Sequence, residues 1–205
     1  ELYDFLRKKE GSTVFIHHDN AYLMNIAEGL NLIPYGTEDD LYVNGRITGN
    51  SPYLTFEWKA GKDGKSYQVQ TQLIGEYNFP NALAAITIGR FFGVEDAKIN
   101  EALAGYTPQN NRSQLKKTDD NTLIIDAYNA NPTSMMAALQ NFRNMEVPHK
   151  MLILGDMREL GAESAAEHQK IADYLKECAF EKVWLVGDQF AAAEHSLPTY
   201  PTYRK

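Results

Sequence analysis

The sequence TLIIDAYNANPTSMM, residues 122–136, determines the fold of this chain. Its first residues, Thr122–Ile125, favour extended structure and predict a buried strand that ends at Asp126. After a short polar loop, Asn131 predicts a helix N-cap and Pro132 the first helical position, where a missing N–H costs nothing. Open α/β sheets bind their ligands at such strand-to-helix junctions, so we expect a binding site here.

The rest of the chain after residue 111 alternates between strand and helix patterns. Strands are predicted at residues 122–126, 150–154 and 182–186, and helices at residues 132–146 and 162–178. This alternation is typical of parallel strands joined by right-handed crossover helices, and it predicts a Rossmann-like layered domain. No G-x-G-x-x-G fingerprint follows any of these strands, which disfavours an NAD-dependent oxidoreductase.

The chain before residue 107 shows a different pattern of apolar and polar residues. Residues 1–35 show an α/β pattern, whereas residues 53–59 and 66–73 alternate apolar and polar side chains and predict half-buried antiparallel strands. The turn between them contains Gly64-Lys65-Ser66, which matches the end of a phosphate-binding P-loop. Lys59 stands where that motif needs its first glycine, and a strand pattern follows instead of a helix. We therefore reject this turn as a nucleotide site.

The stretch GEYNFPNALAAITIGRFFG, residues 75–93, predicts a helix that starts near Pro80. The helix is apolar around much of its girth, which indicates burial between layers. Asn78 and Asn81 are three positions apart and fall on the same side of its first turn. Two carboxamides offer donors and acceptors together, as the edge of an adenine base requires. The alternative is that Asn78 only caps the helix.

Residues 107–111 predict a linker, because they are polar, contain a proline and show no periodicity. We place the domain boundary there, with one α/β domain in residues 1–108 and a second in residues 109–205.

The bulk composition excludes some classes of protein. The 205 residues carry a formal net charge of −7 and contain one cysteine, Cys178. An acidic chain does not favour a nucleic-acid groove, which needs a basic face. Since Cys178 cannot form an internal disulfide, a reducing, cytoplasmic compartment is expected. No apolar run has the length of a membrane span, so no membrane insertion is expected.

Four other polar residues attract attention without making a strong case. His17, His18 and Asp19 follow a predicted strand, but adjacent residues of an extended chain point to opposite faces. We therefore expect an ordinary strand-end loop there instead of a metal site. His168 lies on a predicted helix, where we expect a surface or core-edge residue instead of a catalytic base.

Three motifs occur in the order in which a known family carries them: GEYNFPNALAA (75–85), DAYNANPTS (126–134) and GDMRELGAES (155–164). With these motifs the chain resembles the Mur ligases of bacterial cell-wall synthesis. The resemblance implies the C-terminal part of a central ATPase domain followed by a Rossmann-like C-terminal domain. In that family the first motif often has a histidine where this chain has Tyr77.

The resemblance also implies a function. An ATP-dependent amide-bond ligase would add D-alanyl-D-alanine to UDP-N-acetylmuramoyl-tripeptide through an acyl phosphate. It implies ATP contacts from the asparagines of one domain and from an arginine and an aspartate of the other, with domain closure on binding. Two further acidic residues, Asp156 and Glu159, would lie at the rim of the same crevice. The residues implied are Asn78, Asn81, Arg112 and Asp126 for ATP, and Asn129, Asn131 and Thr133 for the substrates.

Three of these residues also have a purely structural interpretation. Arg112 lies near Lys116 and Lys117 and is also consistent with a solvated surface residue. Asp126 is also consistent with a turn residue, and Asn131 would be a good cap in any case.

The family's P-loop, magnesium ligands and modified lysine would precede residue 1. We therefore expect a partial, inactive chain that ends inside its last domain and uses ATP and Mg²⁺ only within a longer, monomeric enzyme. The competing hypothesis is a non-catalytic module that binds a nucleotide or a peptide.

Overall fold

A computed structural model describes residues 1–50, 52–109 and 111–201 of the chain. It divides into two units, Glu1–Gln109 and Asn110–Lys205. The linker predicted at residues 107–111 includes residue 110, which lies outside the described residues.

A mixed five-stranded sheet forms the centre of the first unit. Its strands lie in the order β1-β2-β3-β4-β5, with β1, β2 and β3 parallel and the last three antiparallel. A 3₁₀ turn, Glu76–Asn78, leads into the longest described helix of this unit. The elements are α1 (Leu2–Arg7), β1 (Thr13–His17), α2 (Ala21–Ile26), β2 (Asn31–Gly36), β3 (Val43–Asn50), β4 (Leu54–Lys59), β5 (Tyr67–Gln70), α3 (Phe79–Phe91) and α4 (Asp96–Gly105).

The core of this unit lies between the sheet and α3. Strand β4 alternates strictly between buried and half-buried residues, and it contributes Phe56 and Trp58. Helix α3 contributes Leu83 and Ile86 to the same cluster. Burying each of these side chains stabilises the unit by about 1.5–3 kcal/mol. The prediction that α3 is buried between layers is wrong, because Ile88 on its other side is exposed. Among the described residues the helix packs on the sheet and against Ile99 of α4.

The predicted antiparallel strands are confirmed as β4 and β5, which pair from Thr55↔Gln70 to Trp58↔Tyr67. The residues after Gly64-Lys65-Ser66 form β5 and not a helix. The backbone N–H groups that open a helix, and that a P-loop uses, are therefore not offered at this turn.

The second unit is built from a parallel sheet, a hairpin and three helices among its described residues. The parallel sheet has the order β10-β9-β8. A 3₁₀ turn, Gly161–Glu163, precedes the second helix. The elements are β6 (Gln114–Lys117), β7 (Thr122–Ile125), α5 (Pro132–Asn144), β8 (Met151–Gly155), α6 (Ser164–Lys176), β9 (Lys182–Val186), α7 (Asp188–Ala192) and β10 (Thr199–Tyr200).

The predicted alternation of strand and helix is confirmed, and so is the α/β fold class. The first predicted strand of this unit, at residues 122–126, was expected to be a strand of the parallel sheet, and this prediction is wrong. Strand β7 pairs antiparallel with β6, from Gln114↔Ile125 to Lys117↔Thr122, and Leu123 is 42% exposed. The turn explains this, since Thr118 N–H donates to Asn121 O at 2.8 Å and closes the hairpin locally.

The core of the second unit joins the sheet to its helices. Leu139 of α5 packs in one cluster with Ile171 and Leu175 of α6, Leu185 of β9 and Phe190 of α7. None of the helices in the described part of the chain has the length and apolar character that crossing a bilayer requires.

Candidate functional site

The open end of the β6–β7 hairpin brings together residues that are distant in sequence. Because Gln114 pairs with Ile125, the residues just before β6 lie beside those just after β7. Ser113 N–H donates to Asp126 Oδ1 at 3.3 Å, and Ala127 N–H donates to Asn111 O at 2.8 Å. The structure therefore fixes Asp126 at the end of the strand, as the sequence predicts, and ties it to the start of β6.

An arginine and an aromatic ring meet at the same place. The guanidinium carbon of Arg112 lies 3.9 Å from the centre of the Tyr128 ring. This is a cation–π contact at stacking distance. Tyr128 is 63% exposed, and Arg112 is exposed as well. The hairpin end thus presents a cation, a carboxylate and an aromatic ring together.

The carboxyl group of Asp126 is shifted toward its protonated form. Burial raises its pKa, and this effect is opposed by the Ser113 N–H and by the positive charge of Arg112. The residue as a whole is exposed, so it is the surroundings of the carboxylate itself that desolvate it. One oxygen accepts the Ser113 N–H, and the other is available to a ligand.

Asn131 begins helix α5 as the sequence predicts. Its Oδ1 accepts the Ser134 N–H at 2.9 Å, and Ser134 Oγ accepts the Asn131 N–H at 3.3 Å. This reciprocal arrangement is a capping box, and it satisfies two backbone donors. Asn129, Asn131 and Thr133 are all exposed around this helix start. Their expected contact with substrates stays a prediction.

In the first unit, Asn78 and Asn81 lie side by side, as predicted. Asn81 Nδ2 donates to Asn78 Oδ1 at 3.4 Å. The simple capping interpretation of Asn78 is wrong, because its side chain makes no cap hydrogen bond. It donates instead to Ile74 O at 2.9 Å. This bond orients the Asn78 carboxamide. Because Asn81 bonds Asn78 through its Nδ2, its Oδ1 has no partner among the described residues and suits a ligand.

The Tyr77 ring packs on the backbone just before these asparagines. Gly75 has a φ of 94°, and a Cβ there would meet Tyr77 Cε1 at 2.2 Å. The glycine is therefore needed twice, for its backbone conformation and for the close approach of the ring.

The strand-end residues of β1 form a loop cluster. Asp19 Oδ2 accepts the Thr37 N–H at 3.0 Å, and His17 Nε2 lies 3.6 Å from the same oxygen. His18 Nδ1 lies 4.0 Å from Asp19 Oδ1. Within the described residues no group of three or more His, Cys, Asp or Glu side chains is arranged to hold a metal ion. The expectation of an ordinary strand-end loop stays a prediction.

Asp156 has a role that sequence analysis did not predict. Its two oxygens accept the N–H groups of Gln189 and Phe190, each at 3.0 Å, at the start of α7. The carboxylate thus joins the end of β8 to a helix more than thirty residues later. Glu159, expected beside it at the rim, is exposed and has a φ of 65°.

The prediction that His168 lies at the surface or core edge is wrong. Its side chain is 0% exposed and packs edge-on against Phe190. Nε2 accepts the Met157 N–H at 3.0 Å, and Nδ1 lies 2.7 Å from Ser164 O, to which it donates. Because both ring nitrogens have partners, the ring fits a buried site and holds the loop after β8.

A cavity of about 230 Å³ opens on β3 and β4. Its charged side chains pair with one another, with Arg46 Nη2 2.8 Å from Glu57 and Lys59 Nζ 3.0 Å from Asp39. None of the residues predicted to bind ligands lines it.

Tyr128 was not predicted from the sequence as a site residue. The signal was present, since an aromatic residue inside a polar loop that follows a strand is unusual. Its partner could not be inferred, because Arg112 meets it only through the β6–β7 pairing.

Comparison with known proteins identifies the family. Residues 1–89 match the Mur ligase middle domain, and residues 111–198 match the Mur ligase glutamate ligase domain. A UDP-N-acetylmuramoyl-tripeptide–D-alanyl-D-alanine ligase from Bacillus subtilis is 38% identical over 117 residues, which are 56% of this chain and 26% of that protein. The ligase of the same name from Escherichia coli is 33% identical over 157 residues, 76% of this chain and 33% of that protein.

A solved structure shows the same fold. A UDP-N-acetylmuramoylalanyl-D-glutamyl-2,6-diaminopimelate–D-alanyl-D-alanyl ligase from Acinetobacter baumannii superposes with a TM-score of 0.79 at 26% identity. The similarity covers 95% of this chain and 43% of that one. This chain therefore spans between a quarter and a half of the length of these relatives. With its two matched parts in consecutive order, the chain belongs to the Mur ligase family.

Proposed function

We propose that this chain is part of an ATP-dependent ligase that adds D-alanyl-D-alanine to UDP-N-acetylmuramoyl-tripeptide in peptidoglycan precursor synthesis. The observation that carries the proposal is the consecutive match to two Mur ligase domains, with relatives of 38% and 33% identity that bear this activity in their names. The paired asparagines and the hairpin end add side chains whose chemistry suits ATP.

The ATP contacts follow from the chemistry of each group. The carboxamides of Asn78 and Asn81 offer a donor and an acceptor edge to adenine. Asp126 has one oxygen free to accept ribose hydroxyls. Arg112 carries a permanent charge and forked N–H donors that suit phosphate oxygens. We assign the asparagines to the central ATP-binding domain, residues 1–108, and the other two residues to the C-terminal domain, residues 109–205.

The proposed reaction has two steps. The terminal carboxylate of the tripeptide attacks the γ-phosphorus of ATP, which forms an acyl phosphate and releases ADP. The amine of D-alanyl-D-alanine then attacks the acyl carbon and forms the C–N bond. The bond between that carbon and the phosphate oxygen breaks, inorganic phosphate leaves, and the nitrogen gives up a proton. Asn129, Asn131 and Thr133 are exposed at the start of α5, where they suit contact with the dipeptide or the acyl phosphate.

Among the described residues no group of three or more His, Cys, Asp or Glu side chains is arranged to hold a metal ion. Because the chain spans only a quarter to a half of its relatives' length, we place the Mg²⁺ ligands and the phosphate-binding lysine of the proposed enzyme in another part of a longer, monomeric cytoplasmic protein. This chain alone is expected to be inactive.

The test is phosphate release by the complete protein, supplied with ATP, Mg²⁺ and UDP-N-acetylmuramoyl-tripeptide while the dipeptide is varied. Release that requires D-alanyl-D-alanine and falls with other dipeptides supports the proposal. ATP binding without any dipeptide-dependent release would show a non-catalytic binding module instead.

A further inference from the structure

The contact between Arg112 and Tyr128 is the closest cation–ring approach among the described residues. Its distance of 3.9 Å compares with 5.0 to 5.9 Å for the three others. An exposed arginine on its own samples many rotamers, so a contact this short restrains its side chain. The ring covers part of the guanidinium that water would otherwise reach.

The backbone on both sides of this contact is fixed. Ser113, next to Arg112, is buried, and its backbone has a left-handed conformation with a φ of 50°. Its N–H donates to Asp126 Oδ1. Ala127, next to Tyr128, donates its N–H to Asn111 O at 2.8 Å. The hairpin therefore brings the ring and the guanidinium together from both strands, and the contact does not depend on two flexible side chains alone.

Stacking leaves the useful part of the arginine available. The five N–H donors of a guanidinium lie in its plane, so a ring on its face does not compete with an anion at its edge. Within the described part of the chain Arg112 has no hydrogen bond or ion pair of its own. Its donors are thus restrained in position and have no partner among the residues that the structure describes.

We propose that Tyr128 is a positioning residue for Arg112, whose guanidinium it holds at the hairpin end so that the in-plane N–H donors meet the phosphates of a bound nucleoside triphosphate. The inference rests on the function proposed above. The ring acts through the arginine and does not contact the nucleotide. Its hydroxyl group has no part in this role, because the stacking face belongs to the ring.

The experiment measures the Kd of a non-hydrolysable ATP analogue by calorimetry on the complete protein, together with dipeptide-dependent phosphate release. Tyr128→Leu should weaken analogue binding up to about fivefold, as expected for an exposed cation–π contact. The KM for D-alanyl-D-alanine should change by less than about twofold, because the arginine meets only the nucleotide. Tyr128→Phe keeps the ring and should bind the analogue as the wild type does. Tyr22→Leu, at a tyrosine that is 71% exposed in the first unit, is the matched control and should change neither quantity.

A double-mutant cycle separates positioning from direct contact. In an Arg112→Ala background, adding Tyr128→Leu should weaken binding by less than about twofold, since the arginine to be positioned is gone. A loss there as large as in the wild-type background, up to about fivefold, would show that the ring contacts the ligand itself and would overturn the inference. Unchanged binding in Tyr128→Leu would overturn it as well, and so would a wild-type protein that does not bind the analogue. A wild-type protein that binds the analogue but releases no phosphate would overturn only the ligase proposal.

Discussion

At the scale of single residues, Asp126 shows how one carboxylate can serve both the fold and a ligand. It accepts a backbone N–H from Ser113 across the hairpin and lies beside Arg112. Folding nevertheless raises the pKa of Asp126, because the loss of water around the carboxylate outweighs both favourable contacts. Such a group costs stability when it is charged, a cost often found where a protein keeps a side chain for binding.

The stability of the protein should therefore depend on pH through Asp126. A carboxyl with a raised pKa binds its proton more tightly in the folded state, so stability falls as pH rises from the ordinary to the raised pKa. Above that interval the loss is constant. Asp126→Asn still accepts the Ser113 N–H but cannot ionise, so its stability relative to wild type should rise over the same interval. Urea unfolding at pH 3 and pH 7 measures this, and an equal difference at both pH values would contradict it.

Removal of the Asp126 carboxylate should affect the two proposed ligands unequally. Asp126→Ala in the complete protein should raise the KM for ATP about tenfold, because a charged hydrogen-bond acceptor for the ribose is lost. The KM for the dipeptide should change by less than about twofold. Equal effects on both KM values in steady-state assays would contradict the ribose role.

At the scale of elements, the start of α5 combines a structural and a proposed binding role in one side chain. Asn131→Ala removes the capping box and should lower the free energy of unfolding by about 1 kcal/mol. Asn131→Asp keeps an acceptor for the Ser134 N–H and should unfold like the wild type. Thermal unfolding tests both variants. Reduced ligase activity in the stable Asp variant would separate the amide's binding role from its cap, whereas equal destabilisation of the two variants would contradict the capping account.

The connection between β8 and α7 depends on a glycine. Gly187 has a φ of 126°, and a Cβ there would meet Asp156 Oδ2 at 2.1 Å. Gly187→Ala should therefore destabilise the second unit by at least about 2 kcal/mol, through backbone strain and loss of the carboxylate's contacts with α7. Gly155→Ala is the control, because nothing lies within 4 Å of its added Cβ. Similar denaturation midpoints for the two variants would show that Asp156 moves away at no cost.

Local signals predicted the elements well, and the failures have a common physical origin. The Asn131-Pro132 pair predicted the start of α5, because caps depend on adjacent residues. The β6–β7 pairing was missed, because β6 reads QLKK and shows no apolar pattern. The burial of His168 was missed as well, since it depends on hydrogen bonds to the loop after β8. The sequence suggested which residues form the candidate site, and their binding roles stay predictions. It did not predict their contacts, which arise from pairing across the chain.

At the scale of the whole molecule, the proposed ATP contacts belong to two units that follow one another along the chain. A ligand that needs groups from both should favour a closed arrangement of the complete protein. We expect its radius of gyration to fall when ATP binds, and small-angle scattering with and without nucleotide measures this. Asp126→Ala should reduce the change at a fixed ATP concentration. Identical scattering profiles for the wild type in both conditions would contradict the prediction.

The hairpin has a practical use, because its two ends are chemically unlike. Four residue pairs lie between the turn at Thr118 and Asn121 and the end that carries Asp126, so the two ends are roughly 17 Å apart along the strands. A fluorescent dye attached at Asn121 would lie away from a nucleotide bound near Asp126, but on the same β6–β7 hairpin. A dye at this position would report movement of the hairpin during turnover without contacting the reacting groups.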